Sequence, residues 1–457
     1  MTQAEATRVC LVSLGCPKNL VDSEKILAHL AEGGCVVGAP MSEADVIVVN
    51  TCGFLQAARE ESLEVIGEAL EAKRSGRARR VVAAGCLVNR DAERLYETAP
   101  GLDAVVGVND REAILSTVRG EGRVTLATPY AGGIHSDAGR FRLTPRHTGY
   151  LRISEGCSRR CAFCTIPALR GPFRSRLPEA VLAEARELIA DGAVELNIIG
   201  QDTTAYGSDF SDDLGELARL LRALNALEGV RWIRLLYTYP NRFGEALIDA
   251  IAECEYVVPY VDVPLQHINS LVLKRMRRGV SRSHIEKLLV RLRERIPDLA
   301  LRTTFIVGFP GETRKQFEEL LRFVRDTRFD AAGVFEFSPE EGTPAVEMAR
   351  QVSDAVKTRR REVLMLAQQE IAFAAAADAV GSRTEVLVDG IDPAGVCVGR
   401  HSGQAPEIDS LCLLTEPCAP GEFIPARVVD ANGYDLVVEP DAETNRQSSI
   451  VHRQSPA

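Results

Sequence analysis

With 457 residues, 46% of them hydrophobic and 26% charged, the chain has the composition of a soluble protein of about two to four domains, each able to bury its own core. No stretch approaches the roughly eighteen apolar residues of a membrane span, and the first residues carry neither a basic n-region nor a cleavage site, so a cytoplasmic location is expected. A formal charge of −10 gives no reason to expect a polyanionic partner, and twelve cysteines in a reducing compartment point to metal or catalysis rather than to disulfides.

Residues 7–125 alternate apolar, β-rich runs ("RVCLVSL", "ADVIVVN", "RRVVAAG", "DAVVGV") with helical stretches such as "SEKILAHLAE". That alternation predicts an open parallel α/β sheet. Residues 126–148 are turn-rich and read as a linker or irregular crossover. From 149 to 380 a second alternation offers about six strands, "YLRIS", "ELNIIG", "RWIRLLY", "YVVPYVDVP", "LRTTFIVGF" and "AAGVFEFS", which predicts a full or partial (β/α) barrel ending in a trailing helix before Gly381. Short alternating strands over residues 381–446 predict a small all-β barrel, and residues 447–457 read as a loose polar tail. The fold class expected is therefore a multidomain α/β protein with a small β-barrel at its C-terminal end. From Gly381 onward there are five Arg, no Lys and twelve acids, a local net of −7, whereas the other 380 residues carry −3. An acidic module of that kind suits a basic protein surface better than nucleic acid, or it is simply a solvated face.

The stretch "SEGCSRRCAFCTIPALRG" places Cys157, Cys161 and Cys164 as C-x3-C-x2-C just beyond the first strand of the second alternation. A structural zinc site asks for four ligands, and no fourth Cys or His follows for some ninety residues. Three thiolates on a 4Fe–4S cube leave one iron with an exchangeable position, and strand-end loops are where such barrels build their sites. A zinc site or a fortuitous cluster is the alternative. In the first alternation, Cys16, Cys52 and Cys86 each sit just past a parallel strand's carboxyl end, where open α/β sheets gather their ligands. A second three-thiolate cluster is the natural reading there, with zinc again the alternative. Cys10, Cys35, Cys254, Cys397, Cys412 and Cys418 read as packing residues.

The C-x3-C-x2-C spacing with Phe163 before its last cysteine resembles the radical S-adenosylmethionine superfamily. Together with the second triad and the terminal β-barrel, the chain resembles the radical S-adenosylmethionine methylthiotransferases over essentially its whole length. That resemblance implies an N-terminal methylthiotransferase domain, a radical barrel and a C-terminal TRAM domain. It also implies two 4Fe–4S clusters, S-adenosyl-L-methionine, and an electron donor such as flavodoxin or ferredoxin. In the family the second cluster carries a sulfur that is methylated and then joined to an unactivated substrate carbon.

Two branches of the family differ in substrate, an adenosine in tRNA or an aspartate in the twelfth small-subunit ribosomal protein. "SLGCPKNLVDSE", "ISEGC", "IPALRGPFRSR", "GQDTTAYG", "PLQH" and "LRTTFIVGFPGET" are similar to the ribosomal branch, while Asn269-Ser270 departs from its usual Ser-Asp. The tRNA branch typically has Gln-Ser-Gly at Gln266-His267 and a small residue at Arg302. A basic ribosomal protein, free or on the ribosome, is the partner that the acidic C-terminal module fits; tRNA does not fit it, and a non-catalytic ribosome-associated iron–sulfur protein is the rival from another class.

Several single residues are candidates by position. Phe163, Gln201, Gln266, Arg302 and Gly308 are expected near the cofactor, with Arg302 seeking a cofactor carboxylate. Asp202 is expected to contact cofactor or substrate or to cap a turn, and Gly308, Pro310, Gly311 and Glu312 to form a turn against the adenine or merely a tight strand–helix turn. Arg170, Arg174, Arg176 and His267 are candidates for substrate contact, with the cofactor carboxylate or ordinary rim salt bridges an equal account of the arginines. Trp232 reads as core.

Overall fold

The computed structural model describes residues 6–120, 123–128 and 134–441; the expected tail at 447–457 and the end of the expected β-module lie outside the described residues. Strands β1 (Arg8–Ser13), β2 (Val36–Val37), β3 (Val46–Thr51), β4 (Arg80–Gly85), β5 (Ala104–Val106) and β6 (Val124–Leu126) form one parallel sheet in the order β2-β1-β3-β4-β5-β6. Helices α1 (Pro17–Glu32), α2 (Gln56–Arg74), α3 (Cys86–Thr98) and α4 (Ile114–Arg119) cover it. The near-continuous apolar runs of β3 and β4 have the reason expected of central parallel strands. Ile47, Val49, Val81 and Ala83 fill one face, and Val46, Val48, Val82 and Ala84 fill the other. The two edge strands, β2 and β6, are too short to leave a periodic signal in the sequence.

The second sheet begins at β7 (Thr148–Arg152), which is followed by a hairpin of β8 (Ser154–Glu155) and β9 (Arg174–Ser175) that brackets α5 (Ile166–Arg170). Then come α6 (Pro178–Ala190), β10 (Glu195–Ile199), α7 (Glu216–Asn225), β11 (Trp232–Leu235), α8 (Glu245–Glu253) and β12 (Val257–Asp262). Helices α9 (Ser270–Arg275) and α10 (Arg282–Arg295) precede β13 (Ala300–Val307), α11 (Arg314–Thr327) and β14 (Ala331–Glu336). All six long strands are parallel and pair in chain order, β7 to β14, giving the partial barrel rather than a closed one. Asn269 caps α9, accepting from the N–H groups of Leu271 and Val272, which accounts for that residue where the resembled branch has serine.

Helix α12 (Asp354–Ala379) ends before Gly381, whose φ of +93° is the left-handed conformation glycine tolerates. Beyond it, β15 (Arg383–Ile391), β16 (Cys397–His401), β17 (Cys412–Leu414), β18 (Phe423–Asn432) and β19 (Asp435–Pro440) close into a barrel. This barrel packs against the second sheet. Leu387, Ala405 and Phe423 pack with Tyr150, Trp232, Val258 and Tyr260, so Trp232 is core at a junction rather than within one layer. Arg400 of the β-barrel donates to Glu195 of β10 at 2.8 Å, and both are buried.

Residues 134–147 carry no helix or strand, yet they are not a loose linker. Asp137 is fully buried between arginines, and Arg140 bridges Glu24 of α1 (2.9 Å) to Glu184 of α6 (2.6 Å). Periodicity does not register a segment held by charges rather than by an apolar face.

Candidate active site

The loop after β8 starts at Gly156, with φ +72° and so close to the returning chain that a Cβ there would lie 2.2 Å from the Pro172 carbonyl oxygen. Cys157 N–H donates to the Gly171 carbonyl at 3.1 Å, and Ala162 N–H donates to that of Met276 at 2.9 Å, pinning the triad between two segments. Arg278 points a guanidinium N–H at Cys161 Sγ (3.5 Å) and stacks 4.0 Å from the Tyr239 ring centroid. Phe163 meets Phe309 edge-on at 6.5 Å, beside Ala162, Val272 and Met276. Burial pushes the Cys157 thiol up to about 11 and that of Cys164 to about 12, which suits ligands that a metal deprotonates and not free nucleophiles.

The other triad is assembled by the sheet. Cys16 is the N-cap of α1, Cys52 directly follows β3, and Cys86 opens α3 behind Gly85, whose φ is +93°. The turns touch: a Cβ on Gly15 would lie 2.9 Å from Cys52 Cβ, and one on Gly53 would lie 2.8 Å from the Cys86 carbonyl oxygen. Two of the three thiols thus start helices, where the macrodipole favours a thiolate. Burial raises the Cys16 thiol, but Lys18, Arg170 and the amides of Asn19 and Lys18 outweigh it and hold the thiol below its usual value. Cys86 is pushed up to about 12 by burial, against a guanidinium N–H from Arg170 at 3.3 Å. Among the described residues no three His, Cys, Asp or Glu side chains are grouped to hold a single metal ion; a four-iron cube sets its thiolates farther apart than one ion does.

Arg170 comes from α5, immediately after the loop triad, and crosses to the sheet triad. It also donates to Asp22 of α1 (2.9 Å) and Glu155 of β8 (3.1 Å). Asp22 in turn receives Arg111 (2.7 Å) and Arg152 (2.9 Å), and Asp137 receives the same two at 2.8 and 2.5 Å. The Asp22 and Glu155 carboxyls, which burial alone would raise, are held below their usual values by these guanidinium groups. This closed network fixes one triad against the other.

It also accounts for the arginines singled out in the sequence. Arg170 is buried in the network, and Arg176 donates to Glu184 and to the Arg152 carbonyl (2.9 Å), so both are spent on protein acceptors. Arg174 lies on β9, opposite Glu155 in the register. Arg302 pairs with Asp409 of the C-terminal barrel (3.1 Å) and with Asp262 (3.4 Å): the anion it requires is supplied by the chain itself. Asp202 holds Arg159 of the cysteine loop at 2.8 Å. Gln201 gives its amide N–H to Glu155 (2.8 Å), while its buried Oε1 has no partner. Gln266, at φ +70°, bridges to β13 through Thr304 and Ile306 and is held in that strained conformation at a strand end. His267 is buried, accepts from Asn269 N–H at Nδ1 (2.9 Å), and faces Glu312 across 3.8 Å through Nε2. Glu312 Oε2 accepts from Gly308 N–H, closing the Gly308–Glu312 turn on itself. Gly308 packs on the Lys357 side chain of α12.

Comparison with known proteins agrees with this layout. The model of the radical SAM superfamily matches residues 151–324, uncharacterized protein family UPF0004 matches 8–107, and the TRAM domain matches 380–440. A ribosomal protein uS12 methylthiotransferase RimO from Anaeromyxobacter sp. (strain K) is 48% identical over 94% of this chain and 93% of its own. The chain belongs to the RimO family. RimO proteins from Geotalea uraniireducens (42% identical, 96% of this chain and 99% of the relative) and Thermoanaerobacter sp. (42%, 94% and 99%) align as fully. Among solved structures, the radical S-adenosylmethionine methyltransferase TsrM from Kitasatospora setae, with tryptophan and a SAM analogue bound, superposes with a TM-score of 0.53 at 18% identity. It covers 85% of this chain and 79% of its own, and at that identity the likeness is one of fold. A radical SAM family of this kind uses a 4Fe–4S cluster and S-adenosylmethionine. The donor set fits such a group: buried thiols with cationic N–H donors aimed at sulfur suit anionic ligands. Among the described residues no helix is long and apolar enough to cross a membrane.

Sequence reasoning missed Lys18, Glu155, Arg278 and Asp262. Lys18 and Glu155 sit inside stretches that carry the family likeness, while Arg278, in "KRMRRGVS", carries no local signal at all.

Proposed function

We propose that this chain inserts a methylthio group at an unactivated carbon of an aspartate side chain in ribosomal protein uS12. One observation carries the reading: two three-cysteine sites face each other across a junction that Arg170 spans, touching Cys86 with one N–H group and Glu155 with another. Cys157, Cys161 and Cys164 hold the radical cluster, and Cys16, Cys52 and Cys86 hold a second 4Fe–4S cluster. When bound, these clusters and S-adenosylmethionine supply one-electron chemistry and the transferred sulfur. The chain's part is to hold the two sites in register, to exclude water with the buried network, and to line the space between with Gln201, Gln266 and Phe163 on the cofactor's side.

Arg302 and Asp409 seat the TRAM barrel at the site rather than binding cofactor. Asp389 and Glu385 are likewise spent within the chain, on His147 (3.0 Å) and Arg231 (2.7 Å). Glu407, Glu422, Asp430 and Glu439 remain exposed on the barrel, with Arg427 opposite Glu439, and this net acidic surface suits a basic ribosomal protein better than tRNA. A small acidic electron carrier of the flavodoxin or ferredoxin kind supplies electrons. Mass spectrometry of uS12 from cells with and without the gene tests the reading. The methylthio mark should vanish with the gene, and its persistence contradicts the assignment.

A further inference from the structure

Lys18 is an ammonium buried at the junction of the two cysteine sites with no carboxylate to pair with. The residue is 6% exposed, two positions after Cys16 in the first turn of α1, and its Nζ lies 3.1 Å from the ring centroid of Tyr237. Tyr237 follows β11 at the carboxyl edge of the second sheet, where active-site loops gather, and its φ of +59° is a strained conformation held by its N–H to Asp262 (3.0 Å). Among the described residues no carboxylate oxygen stands within 4.0 Å of Lys18 Nζ.

The acids near Lys18 are engaged. Asp262 accepts from Tyr237 N–H and pairs with Arg302, and Glu155 takes Arg152 (2.8 Å), Arg170 (3.1 Å), Gln201 (2.8 Å) and Gly156 N–H (3.0 Å). The other cations around the junction are engaged as well: Arg170 and Arg176 by buried acids, Arg159 by Asp202, and Arg278 by Cys161 and the Pro264 carbonyl. A buried charge without a counter-ion is costly, and stacking on an aromatic ring returns only part of that cost. Within the chain the nearest anion is the Cys16 thiolate and no carboxylate pairs with Lys18, so the ammonium is left with capacity for an anion from outside the chain.

We propose that the Lys18 ammonium is the binding group for the substrate's side-chain carboxylate, holding the target aspartate between the two cysteine sites. The inference rests on the functional reading above and deepens it, because it names the group that selects a carboxylate side chain. The N-terminal cluster is the competing anion. Cys16 is the strongest charged neighbour of Lys18 within the chain and Cys86 receives a guanidinium N–H from Arg170, while the Lys18 Nζ itself is seated on the Tyr237 ring at the carboxyl edge of the second sheet.

The test uses anaerobically reconstituted full-length enzyme with recombinant uS12 carrying Asp or Asn at the target position. Methylthiolation is followed by mass spectrometry, and iron content and the electron paramagnetic resonance of the reduced protein are recorded for each variant. Wild type should favour Asp over Asn by at least about tenfold in kcat/KM, the value of a hydrogen-bonded ionic contact. Lys18→Met should bring the two substrates within about threefold of each other, chiefly through KM, with iron content unchanged, and Lys18→Arg should restore part of the preference. Equal use of Asp and Asn by wild type overturns the proposal without any variant. So does a Lys18→Met enzyme that keeps the full preference, or one that loses the iron of one cluster, since the lysine then serves the cluster. A wild-type enzyme that leaves Asp-bearing uS12 unmodified overturns the functional reading itself, a result distinct from all of these.

Discussion

The loop at Cys157 and the strand ends at Cys16, Cys52 and Cys86 bring three thiols together by opposite routes. The loop does it within eight residues and needs a tight turn at Gly156 with two backbone hydrogen bonds to distant chain. The sheet does it across seventy residues, because parallel pairing of β1, β3 and β4 aligns their carboxyl ends and Gly15, Gly53 and Gly85 let the turns approach. Each triad then receives one buried guanidinium, Arg278 at Cys161 and Arg170 at Cys86. The difference is that Arg278, between α9 and α10, comes from the same α/β half as its triad, whereas Arg170 of α5 is lent to the N-terminal triad by the neighbouring half. One site is self-contained, and the other is complete only when the two halves of the molecule are docked.

Arg170→Ala should break that asymmetry most severely. It removes one of the guanidinium groups shared by Asp22 and Glu155, leaving Asp22 with Arg111 and Arg152 and Glu155 with Arg152, at a cost of about 3 kcal/mol in denaturant unfolding, and should deplete iron from the N-terminal site first. Two glycines sharpen the contrast at a smaller scale. Gly85→Ala forces a Cβ to within 2.3 Å of Asn50 Oδ1, and Gly156→Ala to within 2.2 Å of the Pro172 carbonyl oxygen, both in the left-handed region. Each should cost about 1–3 kcal/mol, with iron lost from the strand-end site in the first and from the loop site in the second. Arg278→Ala should cost about 1–2 kcal/mol and shift the reduction potential of the loop site alone, read by spectroscopic titration.

The smallest effect lies outside both triads. His401 is held at about 4 by burial, so its folded form resists protonation; the stability this gives is complete above the unfolded value near 6.5 and declines as pH falls toward 4. Between pH 7 and 5.5 the loss should be on the order of 1 kcal/mol, seen as loosened protection of the C-terminal barrel in hydrogen exchange, with the two cysteine sites affected equally. Burial alone would raise Glu195, but Arg400 and Arg234 hold it at about 2, so its own contribution is withdrawn in a lower window, from about 4.5 down to 2.

Both triads were legible in the sequence, one from its spacing and one from the rule that parallel strands gather ligands at their carboxyl ends. The six long strands of the partial barrel and the closed β-barrel were legible from periodicity. What the sequence hid is the pairing of charges across long separations. Arg170 meets Asp22 over 148 residues, Arg302 meets Asp409 over 107, and Arg400 meets Glu195 over 205. No local pattern specifies such partners, so the sequence does not show that Arg170, Arg176 and Arg302, expected at substrate or cofactor, pair with acids of the chain. Lys18, lying in "SLGCPKNLVDSE", stood out only once its lack of such a partner was visible.

The central claim is that the chain carries two independent three-cysteine cluster sites. The most direct measurement is iron content and electron paramagnetic resonance of anaerobically reconstituted protein and of two triple variants, Cys16/Cys52/Cys86→Ala and Cys157/Cys161/Cys164→Ala. Wild type should hold about eight irons per chain and each variant about four, with the two variant spectra differing and together accounting for the wild-type spectrum. A Cys16/Cys52/Cys86→Ala protein that still holds about eight irons, or a wild type that never exceeds about four, contradicts the account.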